Sequence, residues 1–418
     1  MEMTLDERIC GMKMYKLGDL CSDVVDCPHS TPEWKNEGIR VIRNFNIVNG
    51  SLDFSNGFFV DEETFEKRTQ RACPEFEDLV ISREAPMGAV CMIPKNLKCC
   101  LGQRLVLLKI NKDVADPNYI LFAIQSQFVQ KQIQIIDQTG SIVSNLNIPD
   151  LKSLQIPLPS LPEQKKIASV LSALDDKIAL NKKMNQKLEA MAKRLYDYWF
   201  VQYDFPDKNG HPYKTTGGPM TYNPTLKREI PVGWTDGVLS DIANITIGQS
   251  PDGSSYNEDG EGMIFYQGCT DFGMRFPTAR QYTTAPTRFA KKGDILMSVR
   301  APVGAVNIAN TDCCIGRGLS ALNSKLGSLS HLYFLIDVFK KTFENKNTVG
   351  TTFGSITKDE LYALPVVIPD KSVIEQFEKM AKPIFDRQMK LGEESNRLTK
   401  LRDKLLPLLM NGQATVYE

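Results

Sequence analysis

The run beginning at Ile81, ISREAPMGAVCMIPKNLKCCLGQRL, returns about 216 residues later at Met297 as MSVRAPVGAVNIANTDCCIGRGL. A repeat constrains a fold more tightly than composition does, because whatever one copy folds into the other must fold into as well. The two copies keep their order. YKLGDL at Tyr15 answers GVLSDI at Gly237, and GIRVIRNFNI at Gly38 loosely answers GMIFYQGCTDF at Gly262. EDLVISREAPMGAV at Glu77 then answers GDILMSVRAPVGAV at Gly293, and Gly140 answers Gly350. A period this long excludes a solenoid of short repeats and marks a duplicated domain. The matched residues are mainly apolar, Gly and Pro, the types that set a backbone path.

Within each copy, short β-prone runs such as VIRNFNIV, DLVISR and LVLLKI alternate with Gly and Pro, which predicts a curved antiparallel sheet. One helix is expected beside each sheet, NYILFAIQSQFVQKQIQ in the first copy and SHLYFLIDVFKKTF in the second. After each copy the pattern changes to a long helix. SLQIPLPSLPEQKKI and ALPVVIPDKSVIEQF both lead from a Pro-bounded strand into an S-x-x-E start, Ser160 with Glu163 and Ser372 with Glu375.

Apolar heptads follow. Position a takes Ile167, Leu174, Asn181, Leu188 and Leu195 in the first helix, and Phe377, Ile384, Leu391, Leu398 and Leu405 in the second. Position d, three residues on, takes Val170, Lys177, Met184 and Met191, with Met380, Arg387, Glu394 and Leu401. Residues 162–200 as one helix would span roughly 55 to 60 Å, too long to bury its stripe alone. Asn181 is the kind of residue that sets register in a coiled coil at some cost in stability. Pro383 and Pro407 predict kinks or a later start in the second helix.

The chain therefore reads as mixed α+β, with five segments: a first β-rich domain (1–158), a long helix (159–203), a Pro/Gly/Asn-rich linker (204–236), a second β-rich domain (237–370) and a second long helix (371–418).

The search for reactive chemistry comes back empty. There is no Gly-Lys dipeptide for a phosphate loop, no G-x-S-x-G, no H-E-x-x-H and no helix-opening G-x-G-x-x-G. Pro149-Asp150 and Pro369-Asp370 sit at the joints entering the long helices and are not read as nuclease motifs, and YNPT at Tyr222 falls short of a methyltransferase N-P-P-Y. Ten cysteines without a C-x-x-C read as buried reduced thiols, and three histidines, His29, His211 and His331, as exposed or internally satisfied. No metal site and no catalytic residue are expected. The charge balance, 50 basic against 50 acidic residues, gives no overall attraction to nucleic acid, so any DNA contact has to be local. No run of about 18 apolar residues for a membrane span occurs and the acidic start is unlike a signal peptide, which points to the cytoplasm.

The run LPSLPEQKKIASVLSALDDKIALNKKMNQKLEAMAKRLYDYWF, followed by FPDKNGHPYKTTGG and LKREIPVGW, closely resembles the central conserved region of specificity subunits of type I restriction-modification systems, and LRDKLLPLLMNG resembles their distal conserved region. The resemblance covers essentially the whole chain. It implies two target-recognition domains that each read one half of a split double-stranded DNA sequence. It also implies two long helices packed as an antiparallel coiled coil that sets the gap between the halves. The implied partners are two methylation subunits using S-adenosylmethionine and restriction subunits using ATP and Mg2+, with no cofactor in this chain.

Under that resemblance, the polar residues that change between the copies become candidate DNA readers: Arg83, Gln103, Arg104, Ser144 and Asn145 against Arg300, Arg317 and Ser355, with Arg43, Asn44 and Asn46 beside Gln267 as a second cluster. Arg suits guanine and Asn or Gln suits adenine in the major groove. Residues 163–194 carry Lys165, Lys166, Lys177, Lys182, Lys183, Lys187, Lys193 and Arg194, which as a solvated helix face need nothing and as phosphate contacts would make affinity salt-dependent. The competing reading is a coiled-coil assembly scaffold whose duplicated domains bind proteins.

Overall fold

The structure, a computed structural model, describes residues 12–139, 145–348 and 354–416. The chain divides into two compact units, residues 1–179 with 396–418, and residues 180–395. Each unit thus holds one copy of the repeat together with a stretch of both long helices, where the sequence boundaries set the helices apart as separate segments.

In the first unit an antiparallel four-stranded sheet runs in the order Cys21–Asp26, Leu105–Ile110, Leu79–Ser82, Val90–Met92. Leu79–Ser82 is buried at all four residues, which is why it reads as a continuous apolar run and not as an alternation. A three-stranded sheet places Ile39–Ile42 between Phe58–Val60 and, in parallel, Cys99–Leu101. Lys13–Lys16 pairs with Gln155–Leu158 and closes the domain onto its helix.

The second unit repeats the plan. Its four-stranded order is Ala243–Ile247, Leu319–Ser324, Ile295–Ser298, Val306–Ile308, and Met263–Tyr266 again lies parallel to Cys313–Ile315. Thr235–Val238 pairs with Pro365–Ile368. The Ala85-Pro86 and Ala301-Pro302 bonds are both cis. Beside them Gly88 and Gly304 sit at φ of +82° and +85°, and a Cβ there would come within 2.9 Å of Ile133 and 2.8 Å of Phe343, so both conformation and space call for glycine. The paired cysteines form matching buried strands, and burial pushes the Cys99 and Cys313 thiols up to about 12. Cys73, against expectation, is exposed.

Three helix expectations need revision. The helix of the first copy is two, Pro117–Gln125 and Gln127–Thr139. They break at Ser126, whose ψ of 149° is extended and whose hydroxyl donates to the Ala123 carbonyl at 2.6 Å while accepting the Val129 N–H at 3.4 Å. The second long helix, Lys371–Met410, does not start late and continues unbroken through Pro383 and Pro407. The irregular turn is instead at the end of the first, where Leu161–Tyr196 passes into a π-helical turn, Asp197–Val201, closed by Gln202 N–H on the Asp197 carbonyl at 2.8 Å. The two caps also differ. Glu163 accepts both the N–H (3.1 Å) and hydroxyl (2.7 Å) of Ser160, but at the second start it is Asp370 that accepts the Ser372 N–H at 2.8 Å.

Within each unit the two helical stretches run antiparallel. In the first, Ile167 and Leu171 share a core with Leu409 and Met410, and Arg402 donates to Asp175 at 3.1 Å. In the second, Asn181 Nδ2 donates to Glu394 at 2.9 Å, Gln388 Nε2 to the Asn185 carbonyl at 3.3 Å, and Phe200 meets Phe377 at 4.9 Å. The a residues are buried or half-buried throughout: Ile167, Leu174, Asn181, Leu188 and Leu195, with Phe377, Ile384, Leu391, Leu398 and Leu405. The most buried partners lie four residues on: Leu171, Asn185, Ala192 and Trp199, with Ala381, Gln388 and Leu409. Of the d residues, Val170, Lys177, Met184 and Glu394 are half-buried, whereas Met191, Met380 and Leu401 are 52%, 51% and 43% exposed. The Asn181 and Asn185 side-chain oxygens are buried without a partner, a polar layer of the type that sets register.

His331 is also inside, its ring 4.6 Å from Phe200 and 5.8 Å from Tyr196, and burial lowers its pKa from 6.5 to about 3. The folded state keeps the ring neutral while the unfolded chain takes up the proton below pH 6.5. Its contribution is therefore complete above pH 6.5 and lost as pH falls through that window, by about 2 kcal/mol at pH 5. Urea unfolding followed by Trp199 and Trp234 fluorescence should lose stability between pH 7 and 5 in the wild type, and markedly less in His331→Phe.

Candidate nucleic-acid interface

At the end of each central strand three segments converge, and the same backbone hydrogen bonds hold them in both copies. Arg83 N–H to the Arg104 carbonyl (2.8 Å) matches Val299 to Gly318 (2.9 Å), and Leu146 to Arg83 (3.0 Å) matches Ile356 to Val299 (2.9 Å). Gly102 to Ile42 (2.7 Å) matches Gly316 to Tyr266 (2.8 Å). These bonds align Arg43 with Gln267, Gln103 with Arg317, Glu84 with Arg300 and Asn145 with Ser355. Candidate readers from distant parts of the sequence thus meet at one edge of each domain.

In the first copy several of them are spent on the scaffold. Asn46 is 4% exposed, its amide donating to the Asp53 and Asn56 carbonyls at 2.9 and 3.1 Å while its oxygen receives the Arg43 N–H at 3.0 Å. Asn44 donates to the Ala85 carbonyl at 2.7 Å, tying two of the three segments together. Arg83 turns inward, its Nε on the Leu146 carbonyl at 2.9 Å and one terminal nitrogen on both Asp26 oxygens at 2.9 Å. Gln103 donates to the His29 carbonyl, and Arg104, itself exposed, pairs with Glu84 at 2.9 Å. Asn145 is exposed, and Ser144 lies outside the described residues.

Arg43 differs from these. Its guanidinium lies over Phe58 at 4.8 Å, Phe45 at 5.0 Å and Trp34 at 5.5 Å. The rings brace each other, Trp34 to Phe58 at 4.7 Å and Phe45 to Phe58 at 5.8 Å. Phe45 is 42% exposed.

In the second copy Gln267, Arg300, Arg317 and Ser355 are all exposed. Ser250 joins two of them, donating to the Gln267 side-chain oxygen at 3.1 Å and accepting the Arg317 N–H at 3.3 Å. Arg300 and Ser355 face each other across an antiparallel bridge. Of the basic residues on the first long helix, Lys165, Lys182, Lys183, Lys187 and Arg194 are exposed, and Lys193 is engaged by Asp197 at 3.0 Å.

Sequence reasoning missed Trp34, Phe45, Phe58, Asp26 and Ser250. The aromatic residues flanking Arg43 were the available signal for a stacked arginine. Nothing local marks Asp26 as the partner of a residue 57 positions away. Among the described residues no cluster of acidic, His and Cys side chains could hold a metal ion, and no helix is long and apolar enough to cross a membrane.

Comparison with known proteins agrees with this duplicated plan. The model of the type I restriction modification DNA specificity domain matches residues 10–190 and again 231–403. The chain is 33% identical over 320 residues to the type I restriction enzyme MjaX specificity subunit of Methanocaldococcus jannaschii, covering 75% of this chain and 72% of that protein. It is 26% identical to the MjaIX specificity subunit of the same organism, over 86% of this chain and 82% of that one. The crystal structure of a type I restriction-modification system S subunit from M. genitalium has the same fold, with a TM-score of 0.59 and 18% identity over 97% of this chain and 98% of that one. Two matches, one on each copy of the repeat, place the chain in the type I restriction-modification DNA specificity family.

Proposed function

We propose that this chain is the DNA-reading subunit of a type I restriction-modification complex and has no catalytic step of its own. Each domain reads one half of a split double-stranded target, and the paired helices hold the halves a fixed distance apart. The observation that carries this reading is the pair of equivalent edges, built on one set of backbone hydrogen bonds but presenting Arg43, Arg104 and Asn145 in one copy and Gln267, Arg317 and Ser355 in the other. Two half-sites of different sequence call for that combination of common scaffold and altered readers. In this reading two methylation subunits supply S-adenosylmethionine chemistry, and restriction subunits supply ATP- and Mg2+-dependent cleavage.

The test is to co-express the chain with its methylation subunits and map adenine methylation across the host genome at single-base resolution. The expected result is a new motif of two short halves separated by a fixed spacer. Exchanging residues 15–150 for those of a relative should change one half and leave the other half and the spacer as they were. A well-formed complex that methylates no such motif would move the duplicated domains to protein binding, the scaffold reading.

A further inference from the structure

We infer that the place held by Arg43 and Gln267 is a base-reading position in both domains, and that Arg43 there recognises guanine. The inference rests on the DNA-reading function proposed above and names the residue and base.

Three observations converge on it. The backbone register makes the two residues equivalent, each following the strand residue that accepts from a glycine N–H, Ile42 from Gly102 and Tyr266 from Gly316. Those glycines lie directly beneath the side chains. A Cβ on Gly102 would come within 3.0 Å of Arg43 Cγ, and one on Gly316 within 2.7 Å of Gln267 Oε1. Both copies therefore keep a bare backbone where a long polar side chain must lie, although the side chain itself differs. Finally, among the described residues no carboxylate pairs with Arg43, whereas Arg83 and Arg104 in the same edge are both taken by acids, Asp26 and Glu84.

The aromatic surround determines what Arg43 can do. Aromatic rings on several sides of the Arg43 guanidinium restrict the positions it can take. That packing removes rotamer freedom before any ligand arrives, so less is lost on binding. A fixed planar fork matches the O6 and N7 acceptors of guanine, and a glutamine amide in the same place matches adenine. A phosphate contact needs only a positive charge, which lysine supplies equally well, and lysine has neither the fork nor the stacking plane.

The test uses the co-expressed complex and the methylation map. Arg43→Gln and Arg43→Lys are each expected to relax the requirement for guanine at one position of the first half-site, lowering discrimination there at least about tenfold. The second half and the spacer should persist, which also reports that the subunit folds. Trp34→Leu, which removes one wall, should weaken discrimination at that same base. If Arg43→Gln leaves the first half fully discriminated, Arg43 reads no base there and the inference is overturned. Loss of both halves together in all three variants would make it a structural strut and would overturn it equally. A wild-type complex with no split motif would instead defeat the functional reading on which the inference stands.

Discussion

Replacing Arg83 by valine is expected to destabilise the first unit by about 2 to 4 kcal/mol, and adding Asp26→Ile to recover most of that loss. The two copies supply the argument. Arg83 is aligned with Val299, and strand register aligns Asp26 with Ile247, since Val106 faces Asp26 and Ile81 as Ser320 faces Ile247 and Met297. One copy thus fills this place with an apolar pair and the other with an ion pair whose side chains are 11% and 23% exposed. Removing the arginine alone strands a largely desolvated carboxylate and leaves the Leu146 carbonyl without its donor. Removing both charges restores the arrangement the second copy already uses. The loss is smaller than for a fully enclosed pair because Asp26 keeps some water and a contact with His29 at 3.0 Å. Hydrogen exchange of the Leu105–Ile110 amides in graded urea reads the first unit directly. A double variant as unstable as the single one would refute the exchange.

That pair also shows where sequence reading stopped. The duplication, the strand runs and the two long helices were legible because they depend on local periodicity and on glycines and prolines whose backbone needs are local. The candidate edge was legible only as a set of changing polar positions. Asn46, Asn44 and Arg83 look like readers in sequence, yet each already donates to a group 7 to 63 residues away. No local pattern announces such partners. The heptads were legible only in part. The a column was visible at spacing seven, but a stripe on one helix does not say on which side its partner lies, so Met191 and Met380 were placed inward and are outside. The second cap shows a closer competition, with Asp370 two residues before Ser372 and the stronger acceptor for the same N–H.

Arg275→Met is expected to loosen the second domain from the helices of its own unit, costing about 2 to 4 kcal/mol, with effects on function beyond that loss. Arg275 is 4% exposed and comes from the loop after residues 269–271. Its guanidinium lies over Tyr333 at 4.6 Å and Phe385 at 4.8 Å, and donates to Glu189 on one helix and Gln388 on the other. Gln388 in turn donates to Glu189 at 2.9 Å. One residue therefore joins a recognition domain to both long helices, and Phe276 beside it packs onto Gly392 so closely that a Cβ there would clash with its ring. Methionine fills much of the volume between the rings but offers neither Glu189 nor Gln388 a donor. Glu189→Gln keeps a polar partner for the arginine and should cost less, because Glu189 is 37% exposed. If the helices set the gap between half-sites, freeing this loop should let the second domain reach its half at more than one distance. Methylation mapping of the Arg275→Met complex should then show the second half of the motif recognised with relaxed spacing, while the first half stays as in the wild type. A single unchanged spacer in a stable Arg275→Met complex would show that the strands and helix of the second unit fix its domain without this arginine.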